Sequence, residues 1–484
     1  MRKTQLSIFS TLLVMFSNAY ALEKQILTEK NTPEKSIESA HLLQQAKKLP
    51  KLVAQPSNET FEISDKRLKS DQNLTEQLLN QAIEAGNVQA ISYLLNIYQI
   101  FNPRDEMLER FAQAQLANKQ ENYADAIRLY RKMLAGNPML TPVRIQLAIA
   151  LFKNQQNNEA KGQFEKALSD PQLPTDIADL VRQYLQVLES RDEWQVSLSG
   201  NYLQEKNVNN ASSEARIENT PLTKGQSMLP QKAHGIGYYF GLERDFNLAS
   251  AHYLHVENQL LGKNYWDNHD YDDITNRFYL GYAHKSYRQR IAVLPYYEQQ
   301  WYGNYRYKRS NGGRVEFNRW LNNQWQLSTA MEYGRNFYHG NPSLNGSSKL
   351  TSAMALYRLN PRIFIYTEAD FVQERTKVHH YGYNLASFKL GWGQEWRWGI
   401  SSRLSLSYAK RHYRDNLSLG NVIHFDKRRE DAIYQLNLIA WKRDWHLFGI
   451  TPKLNFRWKQ QKSNFTSLYS YVDKSVNVLF EKSF

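Results

Sequence analysis

The stretch Trp194-Gln195-Val196-Ser197-Leu198-Ser199-Gly200-Asn201-Tyr202 decides the fold. Trp194, Val196, Leu198 and Tyr202 fall on one side of an extended chain, and Gln195, Ser197 and Ser199 on the other. That period of two belongs to a strand with one apolar and one polar face. The pattern then repeats to the end of the sequence. Ile236, Tyr238, Phe240 and Leu242 share a side, as do Phe278, Leu280 and Tyr282, and Trp325, Leu327, Met331 and Tyr333. Leu350, Met354 and Leu356 read as the apolar face of a further strand, followed by Phe388, Leu390 and Trp392, and by Tyr434, Leu436, Leu438 and Ala440. Fourteen such strands fit into residues 193–484.

The spacing, about 21 residues per strand, accommodates the 9–11 residues of a tilted membrane strand plus a connection. Apolar outward and polar inward is the arrangement of a closed barrel in lipid. Closure is required there because hydrocarbon leaves an open strand edge unsatisfied. All 11 Trp lie at or after Trp194, and residues 194–484 carry 38 basic against 24 acidic side chains, the whole of the net charge of +14. Val476, Val478, Phe480 and Phe484 share one face of the last strand, and its aromatic end, Phe480 with Phe484, reads as a signal for the barrel assembly machinery. An even strand number puts both barrel termini on the periplasmic side and the longer connections outside. Segments 303–313 and 409–429 are expected among those connections. Their basic residues (Arg306, Lys308 and Arg309; Lys410, Arg411 and Arg414; Lys427, Arg428 and Arg429) read as contacts to outer-membrane lipid headgroups rather than to nucleic acid.

Upstream of Trp194 the apolar period is helical. Tyr123, Ala126, Tyr130 and Pro138 are echoed by Asn157, Ala160, Phe164 and Pro171, the two alanines 34 residues apart. This is the tetratricopeptide period, in which small alanines let paired helices approach, an aromatic fills the gap and proline ends the second helix. Residues 73–192 are therefore expected to form an all-α tetratricopeptide-like module, with Asp176–Glu189 capping it. Modules of this kind bind peptides or proteins on a concave face. Here that face is expected to include Gln115, Asn118, Lys119, Ile149 and Lys153.

At the amino terminus Arg2 and Lys3 precede the apolar run Leu6–Phe16, and Ala19-Tyr20-Ala21 supplies small residues two apart. This reads as a signal peptide, residues 1–21, cleaved after Ala21. Residues 22–72 read as a polar, flexible segment. The chain has no cysteine, which excludes a disulfide scaffold, thiol catalysis and a lipidated cysteine. His252 with His255, His379 with His380, and the aspartates Asp267, Asp270, Asp272 and Asp273 are read as polar surface rather than metal ligands. No catalytic motif or phosphate loop stands out, so neither enzyme activity nor a cofactor or metal is expected.

The segments Asn122–Arg131, Leu147–Phe152, Leu173-Pro174 and Asn207-Val208-Asn209-Asn210-Ala211, within this order of modules, resemble the surface lipoprotein assembly modulators, or Slam proteins. The resemblance spans about residues 75–484. It implies an outer-membrane translocator that moves a client, either a surface lipoprotein or a soluble secreted haem-binding protein, from the periplasm to the cell surface, with periplasmic chaperones as further partners. It offers no catalytic residues. The rival expectation is a passive porin or polysaccharide-export barrel carrying a scaffold module.

Overall fold

The computed structural model describes residues 64–218, 220–419, 423–446 and 448–483. The expected signal peptide with Ala19 and Ala21, residues 22–63, and Phe484 lie outside the described residues.

Among the described residues eight helices come first: α1 (Asp65–Ser70), α2 (Gln72–Ala85), α3 (Val88–Tyr98), α4 (Glu106–Lys119), α5 (Tyr123–Gly136), α6 (Thr141–Lys153), α7 (Asn157–Leu168) and α8 (Thr175–Arg191). Helix α1 falls inside the stretch expected to be flexible. Its Leu68 is buried and its carbonyl accepts a bond from Thr75 Oγ1 at 2.7 Å, so a single apolar anchor suffices to order a polar segment.

The turns α2–α3, α4–α5 and α6–α7 share one construction. Gly86, Glu121 and Gln155 each adopt left-handed backbone, with φ of 63°, 63° and 60°. The next amide reaches back five residues, as in Asn122 N to Ala117 O and Gln156 N to Leu151 O, both 2.9 Å. This arrangement satisfies carbonyls that the helix end would leave bare. Tyr123, Ala126, Tyr130, Ala160 and Phe164 are all buried in one core. Pro138 and Pro171 sit exposed just beyond the ends of α5 and α7. Helix α8 closes the stack through Tyr184, whose ring stacks on Phe164 and meets Phe152 edge-on, both at 5.0 Å.

Three residues after α8 the chain enters β1 (Gln195–Glu205), the first of fourteen antiparallel strands. Each pairs with its sequence neighbour, and β1 pairs with β14 (Tyr471–Ser483) to close the barrel. On β1 the sequence reading holds: Leu198 and Tyr202 are exposed on the outside, and Leu203 is buried facing the lumen.

One strand departs from that reading. On β8 (Gly346–Asn360), Met354 and Leu356 are buried and face the lumen with Leu350. Thr351, Ala353 and Ala355 pair with outward Phe371, Ala369 and Thr367 on β9 (Ile363–Thr376). Both faces of β8 carry apolar residues, so the period of two is present while its phase is ambiguous.

Two expected long connections are strand. β5 (Gln289–Tyr302) and β6 (Tyr305–Trp320) are joined by Gly303-Asn304 alone, with φ of 56° and 66°, the two left-handed residues that a tight hairpin needs. Segment 409–429 belongs mostly to β11 (Ile400–Leu419) and β12 (Ile423–Lys442). In consequence Lys308, Arg411 and Arg429 are buried in the lumen rather than presented to headgroups, whereas Arg306, Lys410, Arg414, Lys427 and Arg428 are exposed.

Candidate functional site

The helical module meets the barrel at consecutive repeat turns. Glu121, at the tip of the α4–α5 turn, accepts a hydrogen bond of 2.9 Å from Tyr287 OH and pairs with Arg288; both partners lie in the turn between β4 (Asp273–Lys285) and β5. Tyr123, one of the repeat's packing residues, meets Tyr287 edge-on at 4.8 Å. One repeat later, the carbonyl of Gln155 accepts 2.6 Å from Tyr253 OH. Asn158 N and Nδ2 donate to Asn247 Oδ1 and O at 2.9 and 2.7 Å. Asn247 and Tyr253 flank the turn between β2 (Ala233–Ala249) and β3 (His252–Tyr265). Two repeat turns 34 residues apart thus engage two successive barrel turns.

The join also has an electrostatic seal. Arg191, the last residue of α8, donates to Phe152 O at 3.1 Å and to Asn157 Oδ1 at 3.2 Å, with its guanidinium 3.8 Å above the Phe152 ring. Burial there pushes its pKa down to about 10. Asp192 pairs with Arg244 on β2 at 3.3 Å. A cleft of about 330 Å³ lies beside this contact, lined in part by Lys161, Arg191, Trp194 and Arg244. Burial, followed by the hydrogen bond to Glu121, pushes the Tyr287 phenol up to about 12, so it remains a donor under all physiological conditions.

The five residues expected on the concave face lie at matched positions of α4 and α6. Gln115, Asn118 and Ile149 are each only 8% exposed, Lys153 is half-buried and Lys119 is exposed. The structure brings the two lysines together: the Lys153 ammonium lies 5.4 Å over the Tyr123 ring. Burial, then the neighbouring Lys119, lowers its pKa. Asn118 Oδ1 has no hydrogen-bond partner among the described residues. The polar part of this face therefore adjoins the turn that binds the barrel. Sequence reasoning missed Glu121, Gln155 and Asn158. The available signal was that non-glycine residues occupy the left-handed position of a repeating turn.

The lumen wall beyond the join is charged and paired. On β4, β5, β6 and β7 (Trp325–Tyr338), Arg277 Nε donates to Glu298 at 2.6 Å and Nη1 reaches Glu332 at 3.4 Å, while Lys308 pairs with Glu298 at 3.0 Å. Nearby His255 bridges Asp245 and Glu257 at 2.9 and 3.1 Å, whereas His252 points outward against Tyr282. Across the lumen Lys389 holds Glu368 at 2.7 Å, and Asp431 accepts from Arg429 Nε at 3.0 Å. Removing one partner of such a buried pair leaves an uncompensated charge. Among the described residues no cluster of three potential metal ligands occurs. Asp267 and Asp272 instead accept hydrogen bonds from the backbone amides of His234 and Tyr265. Phe480 is half-exposed on the outer face of β14, opposite Gly200 of β1 and Pro452 of β13 (Thr451–Ser463).

The family described as surface lipoprotein assembly modifier matches residues 194–484, and its N-terminal TPR repeats match residues 61–164. This chain belongs to that family. A surface lipoprotein assembly modifier of Pasteurella multocida is 33% identical over 466 residues, covering 92% of this chain and 89% of the relative. Surface lipoprotein assembly modifier 1 of Haemophilus influenzae is 32% identical, covering 90% of each chain. A hemophilin secretion modulator of Acinetobacter baumannii is 24% identical, covering 81% of this chain and 82% of the relative. The family model for the barrel begins at Trp194, the residue at which the helical period gives way to the period of two.

Proposed function

We propose that this chain is an outer-membrane translocator that delivers a client protein, a surface lipoprotein or a soluble secreted protein, from the periplasm to the cell surface. The observation that carries this reading is the bonding of two successive repeat turns to two successive barrel turns, which holds a peptide-binding face beside the barrel's entrance. The barrel spans the outer membrane with the helical module in the periplasm. Exposed Leu, Phe, Tyr and Val on alternate strand positions support that placement. The names of the relatives supply the client classes.

In this reading Lys119 and Lys153, with the unpartnered Asn118 Oδ1, receive an extended client segment and pass it toward the lumen. The step is non-enzymatic. No nucleotide-binding loop occurs in the sequence, so the driving force is client folding or surface attachment outside, which favours the far state. The signal peptide ends at Ala21, and the terminal strand with Phe480 and Phe484 is recognised by the barrel assembly machinery. Chaperones deliver the client to the module.

The test co-expresses this chain with a candidate surface lipoprotein client and treats intact cells with protease. The expected result is client cleavage only when this chain is present. A client equally shielded with and without it overturns the reading.

A further inference from the structure

The barrel wall is closed but not uniformly laddered. The β1–β14 ladder runs over five rungs, from Ser197↔Ser483 to Asn201↔Leu479. Every other neighbouring pair is laddered over eleven or more. The five rungs all lie at the end bearing the helical module. Toward the far end, Tyr202–Gln204 of β1 and Val472–Val478 of β14 lie beyond the last described rung. Both segments keep strand geometry and remain laddered to their other neighbours, β2 and β13. The edge is mostly apolar on its outer side: Val476 is 64% exposed, Tyr202 50%, Val472 48% and Val478 43%, with Lys474 as the charged exception.

Above this gap two loops are fastened together. The β1–β2 loop, residues 206–232, reaches across to the short helix α9 (Thr466–Tyr469) that joins β13 to β14. Glu218 N donates to Ser467 Oγ at 3.0 Å, and Lys224 Nζ donates to Ser467 O at 2.7 Å and to Ser212 O at 2.8 Å. Ile217 packs among Phe465, Leu468 and Tyr469. The fastening joins the same two strands beyond the end of their described ladder.

We propose that the far half of the β1–β14 seam is a lateral exit, through which the acylated end of a lipoprotein client leaves the barrel sideways into the outer leaflet while the loop clasp keeps it shut at rest. The inference rests on the transport reading above. An acyl chain gains free energy in hydrocarbon and gains nothing against a wall of Arg, Lys, Glu and Asp such as this lumen. Opening any fully laddered seam in lipid strands several backbone donors and acceptors. Opening this half of this seam breaks no described rung. The rungs that remain seal the periplasmic half, so the opening faces the outer leaflet alone.

The absence of cysteine makes the test direct. Tyr202→Cys with Val478→Cys sits one step beyond the last rung in register and, once oxidised, bridges the gap. Gln204→Cys with Val476→Cys does so higher up, should the first pair impair assembly. Leu406→Cys with Leu436→Cys bridges a seam already laddered and serves as the control. Each is assayed with a surface lipoprotein client that the unmodified chain displays and with the same client lacking its acylated cysteine. We expect oxidation across the gap to abolish surface display of the acylated client, reductant to restore it, and release of the unacylated form to continue. Undiminished display of the acylated client, or an equal block of both forms, overturns the lateral exit. If the unmodified chain displays no such client, the transport reading itself falls and takes the exit with it.

Discussion

Glu121 carries one cost and two gains. Its left-handed backbone, φ 63°, is a conformation that costs a non-glycine residue about 1–2 kcal/mol. In return its carboxylate reaches both Tyr287 and Arg288 on the barrel. Glu121→Ala keeps the strain and loses both contacts, whereas Glu121→Gly loses the contacts and relieves the strain. The glycine variant is therefore expected to unfold its helical module at a higher temperature than the alanine variant, by about 1 kcal/mol in the helical circular-dichroism transition. Both should show faster amide exchange around residues 286–288 than the parent chain. Equal stability of the two variants would contradict the strain argument. Phe164, wholly buried between the repeats and stacked on Tyr184, offers a simpler case. Phe164→Ala should cost about 3–5 kcal/mol by chemical denaturation, without altering the heat-modifiable gel migration of the barrel.

At the scale of the strand, direction of facing decides tolerance. Met354 points into the lumen and Phe388, 54% exposed, points out. The burial of Met354 beside polar neighbours on the inner wall makes Met354→Gln a modest change. Phe388→Gln puts an amide into hydrocarbon, where it finds no partner. The expected outcome is near-normal folded barrel for Met354→Gln and a clear deficit for Phe388→Gln, read from semi-native gel bands of outer-membrane fractions. The inner-wall pairs give the converse expectation. Arg277→Ala leaves Glu298 with Lys308 and Glu332 with Arg314, so the loss should fall below the about 3–5 kcal/mol of a fully broken buried pair. The double change with Glu298→Ala should recover part of the lost midpoint.

For the whole molecule, the helical module held at the entrance and the ion-paired lumen wall argue against a permanently open pore. In planar bilayers the protein is expected to give little steady current. Arg277→Ala, by thinning the wall's side-chain packing, should raise it. A large, client-independent conductance in the parent protein would instead favour a passive porin. Detaching the module by combined Glu121→Ala and Asn158→Ala should leave a folded barrel whose client delivery drops, measured by protease accessibility of the client on intact cells.

The amino-acid sequence alone determined the two-part order, the repeat length, the strand number and most strand faces. Each of these is a local periodicity, written within a few residues of where it acts. Glu121 and Gln155 were legible in principle as occupants of a repeating turn, yet nothing nearby in the chain announced that Tyr287 and Tyr253 would be their partners. Those contacts span 166 and 98 residues. The phase of β8 was undecidable because both of its faces are apolar, and pairing with Phe371 and Ala369 settled it. The burial of Lys308, Arg411 and Arg429, the short β1–β14 ladder and the clasp above it arose only on closure. Closing a barrel brings the first and last strands together, and where their edges meet depends on the stagger accumulated around the whole ring.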